Sequence, residues 1–119
     1  MADYVKSFTT DKYAEVCLYN EDEIMLTIGE KMNEIDENAY MNGYNWEAFF
    51  NCYLAKKAPE LLEGMETDPE AGMYVAYYEL SEDNTTKAER FAELIRSLVE
   101  NEEELYSFLR ENGGDIEWD

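Results

Sequence analysis

Twenty-nine Asp and Glu stand against nine Lys and Arg in this 119-residue chain, a formal net charge of −20. That imbalance constrains the fold more than any other feature. Like charges repel in a compact state, so the acids must stay at the surface while the apolar residues make a real core. The material is present: 45 % of residues are hydrophobic and 14 % aromatic, with ten tyrosines. A chain of this size buries roughly two-thirds of its unfolded surface, enough for one domain over residues 1–119. A modest acid excess is explained by solubility alone. At −20 the self-repulsion points to a use for the field. Nucleic acid, phosphate-rich ligands and anionic membranes are repelled, and a basic macromolecule or a cation is attracted.

The chain contains no histidine. Ser-His-Asp and Cys-His catalysis are therefore excluded, and the commonest zinc ligand is missing. Cys17 and Cys52 are far apart and form no CxxC, so they read as small buried hydrophobes in a reducing compartment. Met1-Ala2-Asp3-Tyr4 does not resemble a signal peptide, and no apolar run reaches membrane-spanning length, which sets the expectation of a cytoplasmic protein.

Alternation predicts strands at 3–9 and 12–19, joined by a turn at Thr10-Asp11. In the second, Ala14, Val16 and Leu18 share one face, and Tyr13, Glu15, Cys17 and Tyr19 the other. Ile24, Ile28, Met32 and Ile35 recur at helical spacing and predict a helix over 22–36, against a competing strand at Ile24–Ile28, with a loop over 37–44. Asn45 reads as an N-cap for a helix over 46–57, with Trp46, Phe49, Phe50, Tyr53 and Leu54 along its apolar face. Pro59 either starts a further short turn over 60–63 or breaks that helix, and Gly64 ends it. Asp68-Pro69-Glu70-Ala71-Gly72 is a turn. The strand over 73–80 is apolar on both faces, as in a central strand covered at least in part on both sides. Thr86-Lys87-Ala88-Glu89 reads as a capping box for a helix over 86–100. A shorter helix follows to about 111, closed by Asn112-Gly113-Gly114, and the tail 115–119 suits an edge strand. The expected fold is α+β: a small, mostly antiparallel sheet of three to four strands against three to four helices.

Sites of catalysis are hard to find. Asp36, Asn38 and Glu47 fit positions one, three and twelve of a calcium loop, but Met41 stands where the loop needs glycine, so the match fails. Carboxylate pairs are too common to single out an acid and a base. The run Glu100-Asn101-Glu102-Glu103-Glu104 suits the positive end of a helix dipole. No cofactor is expected. The aromatics outside the helical stripes, Tyr40, Tyr44 and Trp118, are candidates for contact with a partner, with Trp118 either docked on the fold or offered outward.

Gly43-Tyr44-Asn45-Trp46-Glu47, Pro59-Glu60-Leu61-Leu62, Asp68-Pro69-Glu70-Ala71-Gly72-Met73-Tyr74 and the ending Asp115-Ile116-Glu117-Trp118-Asp119 resemble the Immunity protein 51 family. These are bacterial antidotes encoded beside polymorphic toxins. The resemblance runs from about residue 40 onward and is loose before it. It implies a cytoplasmic α+β protein without catalytic activity that binds a cognate toxin domain and blocks it by occlusion. The motif positions Gly43, Trp46, Glu47, Asp68, Glu70 and Gly72 are expected to serve the fold. Toxin contact is assigned to Tyr19, Tyr40, Tyr44, Glu82, Asp83, Asp115, Glu117 and Trp118. The acidic balance favours a basic toxin, such as a nuclease. The alternative is an acidic nucleic-acid mimic inhibiting a DNA- or RNA-binding protein. The sequence does not fix the toxin, the interface or the oligomeric state.

Overall fold

In the computed structural model, residues 4–119 are described, and the alternating stretches pair into one antiparallel sheet of order β1-β2-β4-β3. The strands are β1 (Val5–Thr9), β2 (Tyr13–Leu18), β3 (Glu66–Thr67) and β4 (Tyr74–Glu79). Asp3, the start of the first expected strand, lies outside the described residues. The helices are α1 (Glu23–Ile35), α2 (Gly43–Lys57), α3 (Glu82–Glu100) and α4 (Glu102–Asn112). The fold is α+β, with four strands and four helices.

Register divides the sheet into two unlike faces. Val5, Leu18 and Tyr74 lie side by side on one face, as do Val16 with Ala76 and Ala14 with Tyr78, and all are buried. Helices α2 and α3 pack over this face. On the other face Tyr13, Glu15, Val75 and Tyr77 remain partly or fully exposed. β4 is thus an inner strand, buried on one face and half-buried at Val75 and Tyr77 on the other.

The centre of the core is aromatic. Trp46, Phe49, Phe50 and Tyr53 of α2 form one aromatic cluster with Tyr74, Phe91 and Phe108, its paired ring centroids 4.8–6.2 Å apart. Each such pair adds roughly 0.5–1.5 kcal/mol beyond its buried area. That packing opposes the repulsion of the surface acids, which find few cations: the four ion pairs between described residues are all at the surface.

The helix starts differ from the sequence expectation in instructive ways. Asn42, not Asn45, caps α2, its Oδ1 accepting from the Asn45 N–H at 3.0 Å. Asn45 is instead buried within the first turn, donating from Nδ2 to the Tyr40 carbonyl at 2.8 Å. The helix begins earlier because Gly43 packs directly on the turn before β4. Its N–H donates to the Ala71 carbonyl at 2.9 Å. A Cβ there would overlap the Glu70 carbonyl oxygen and sit 2.5 Å from that of Met73. Ser81 caps α3, accepting from the Asn84 N–H, and Thr86 bonds back to the Glu82 carbonyl inside the helix. In α1 the buried stripe is Met25, Ile28, Gly29 and Met32, whereas Ile24 faces solvent.

Two further corrections concern short segments. β3, two residues long, carries no periodicity and escaped the sequence reading. The tail is not an edge strand. After α4 the chain makes one 3-10 turn, Gly113–Asp115, and returns to α2, where the Asp119 N–H donates to Asn45 Oδ1 at 2.7 Å. Pro59 opens a 3-10 turn, Pro59–Leu61, and Gly64 takes a left-handed φ of +77° that suits glycine.

Substituting Gly43→Ala is expected to destabilise the fold by about 3 kcal/mol in chemical denaturation, because backbone must move to admit the methyl. Gly114→Ala, with nothing within 4 Å of its added carbon, is expected to stay within about 0.5 kcal/mol of wild type. Burial raises the hydroxyls of Tyr78 and Tyr106 to about 12, and raises Tyr74 further. A raised folded-state value means the stabilisation is complete below pH 10 and disappears as pH climbs towards 12. Tyrosinate absorbance of these three residues is therefore expected to appear together with loss of secondary structure; early, independent ionisation would contradict their burial.

Candidate protein-binding surface

The segment 39–44 leaves α1 and enters α2, and it is pinned from several sides. Asn45 holds the Tyr40 carbonyl, and Asn42 caps the helix. Gly29 of α1 admits the segment closely: a Cβ on it would lie 3.1 Å from Cβ of Met41. The turn before β4 is itself closed, with the Glu70 N–H donating to the Met73 carbonyl at 2.7 Å. Its Ala71 carbonyl accepts from both Gly43 N–H and Asn20 Nδ2, the latter at 3.0 Å. Glu47, one turn into α2, accepts a short hydrogen bond from the Thr67 hydroxyl of β3.

This pinned segment forms a ridge with a hollow on each side. On one side, a groove of about 280 Å³ runs between α1 and residues 39–42; Asn20, Glu21, Met25, Leu26, Glu30 and Tyr40 are among its walls. Tyr40 is the most exposed large aromatic here, at 72 %, and Leu26 is 48 % exposed. On the other side, a cleft of about 500 Å³ lies between α2 and the tail. Tyr44, Glu47, Asp115, Glu117 and Trp118 line it, with Lys56 paired to Asp115 at 3.2 Å. Both hollows combine exposed aromatic or aliphatic surface with carboxylates. Their open shape and mixed lining suit contact with another macromolecule. Among the described residues no three or more Cys, Asp or Glu converge as a metal would require.

Of the residues singled out by sequence, Tyr44, Asp115, Glu117 and Trp118 come together in the cleft, and Tyr40 stands across the ridge. Trp118 is docked: it packs partly buried against the core, its indole Nε1 covered but without a partner. Tyr19 continues the open face of the sheet, where the Lys6 ammonium sits 5.7 Å from its ring centre. Glu82 and Asp83 occupy the first turn of α3, at the far end of β4. Leu80 there bonds the Lys12 carbonyl beside the β1–β2 turn, so the length of β4, about 17 Å at ~3.4 Å per residue, separates these acids from the ridge. Their place beside Ser81 suits the helix dipole.

Sequence reasoning missed Asn20, Glu21, Leu26 and Glu30. The signal available was Leu26: with Ile24 it is an aliphatic residue off the buried stripe of an amphipathic helix. It also passed over a second apolar surface on the open sheet face, where Phe8 and Tyr13 are 42 % and 37 % exposed. There Tyr13 packs edge-on against Tyr77 at 5.0 Å, so those rings already partner one another.

The motif residues also acquire positions. Gly43, Glu70 and Gly72 meet where α2 docks on the turn, Trp46 lies in the core, and Glu47 reaches β3. Comparison with known proteins bears on the same residues. The family model for Immunity protein 51 matches residues 6–113, reaching well before residue 40 into the region whose resemblance was loose. No curated protein and no solved structure gives a match. The matched span takes in every strand but the first residue of β1, all four helices and the α2–turn junction, and the chain belongs to the Immunity protein 51 family.

Proposed function

We propose that this protein is the antidote to a cognate bacterial toxin domain, which it binds and blocks by occlusion without catalysing any reaction. Membership of the Immunity protein 51 family is the observation that carries this reading. The charge of −20 supports a basic partner, of which a nuclease is one kind. The acids steer the encounter, and the aromatics around the ridge supply the buried anchors on which affinity depends. Tyr40, Tyr44, Asp115, Glu117 and Trp118 are the contacts that this reading assigns. The antidote acts in the cytoplasm, where the producing cell and its neighbours meet the toxin's activity. No helix of the described residues is long and apolar enough to cross a membrane.

Mixing the protein with the toxin domain encoded beside it tests the reading. A stable one-to-one complex is expected, with inhibition complete at equivalence and no turnover. Association at low salt is expected to approach the order of 10⁸ M⁻¹s⁻¹ and to fall steeply as salt screens the field. An association rate indifferent to salt would remove the electrostatic part of the proposal, and absence of a complex would remove the whole. Equal inhibition of unrelated nucleases would instead favour a nucleic-acid mimic.

A further inference from the structure

The groove between α1 and residues 39–42 has a feature that neither the family nor the overall charge explains. Asn20 is 3 % exposed and walls this groove, yet its Oδ1 has no hydrogen-bond donor among the described residues. Its orientation is fixed, because Nδ2 donates to the Ala71 carbonyl; exchanging the two ends would set oxygen against oxygen. A covered acceptor left without a donor is unfavourable, and a donor that reached it from the groove would satisfy it. Two carboxylates, Glu21 and Glu30, also line the groove, and among the described residues no cation does. The remaining walls include Met25, Leu26 and Met41, which suit a methylene stem. At about 280 Å³ the hollow falls just below the usual range of small-molecule pockets, about 300–1,000 Å³, and suits one long side chain.

We infer that this groove receives an arginine side chain from the basic partner, with the guanidinium between Asn20 Oδ1 and the carboxylates of Glu21 and Glu30 and the stem along the methionines. Arginine fits better than lysine because its planar fork carries five donors and can serve one amide and two carboxylates at once. Tyr40, beside the groove, closes over the stem, as neighbouring contacts exclude water from an anchor. The inference rests on the antidote reading, and it names the anchor that such a partner inserts.

Two measurements test it. In the first, N-acetyl-arginine amide is titrated into the protein at roughly millimolar concentration and the Asn20 side-chain amide is followed by NMR. A saturable shift is expected with arginine and none with its neutral citrulline counterpart; equal shifts, or none, would overturn the inference. In the second, the toxin domain encoded beside the gene is bound to wild type, Asn20→Ala, Glu30→Gln and, on the open sheet face, Glu66→Gln. Glu30 is exposed and its side chain makes no hydrogen bond among the described residues, so its variant keeps its structure even if that of Asn20 does not. Glu30→Gln is expected to weaken binding about tenfold and Glu66→Gln to leave it unchanged. Wild-type affinity in Glu30→Gln would overturn the arginine groove while leaving the antidote function standing. Failure of wild type to bind would overturn both.

Discussion

The approach of α2 to the turn before β4 is the constraint on which the candidate surface depends. Backbone meets backbone there with no room for a side chain: Gly43 lies against the carbonyls of Glu70 and Met73, and its N–H is taken by Ala71. Three asparagines complete the junction. Asn42 caps the helix, Asn45 ties Tyr40 on one side and the tail on the other, and Asn20 reaches Ala71 from the end of β2. Amides suit this task because each offers a donor and an acceptor without adding charge. In a chain already at −20, an aspartate at any of these places would add to the repulsion.

Rigidity at that junction has a consequence for recognition. Tyr40 is carried on the segment between α1 and α2, where loop residues are ordinarily mobile and pay an ordering cost on binding, and Tyr44 on the first turn of α2. Here the segment is held from both ends, so the two aromatics are presented in place. On the proposed function, the field would set how fast a basic partner arrives, and the pinned aromatics and hollows how long it stays.

Much of the fold was legible because its signals are local. The alternation of Ala14, Val16 and Leu18, the stripe of Phe91, Ile95 and Leu98, and the aromatic face from Trp46 to Tyr53 each report burial by period alone. What failed was decided by contacts distant in sequence. Asn42 displaced Asn45 as the cap because Gly43 could enter the helix against residues 70–73, a contact no local pattern records. The tail became a strap rather than a strand because Asn45, more than 70 positions earlier, offered it an acceptor. The site was half legible for the same reason. Exposed aromatics were sensible guesses, and Tyr44 with Trp118 did meet across one cleft. The groove on the other side is made by a glycine, an asparagine and two glutamates that stand out only once α1 and the ridge lie side by side.

On the proposed function, the ridge at 39–44, with the hollow on either side, is where a basic toxin is held. Hydrogen exchange on the complex with the cognate toxin domain tests this directly. The account requires new protection over residues 20–30, 39–52 and 115–118, with the open face of the sheet around Phe8, Tyr13 and Tyr77 exchanging as in the free protein. Protection confined to that sheet face, with the ridge unchanged, would contradict it.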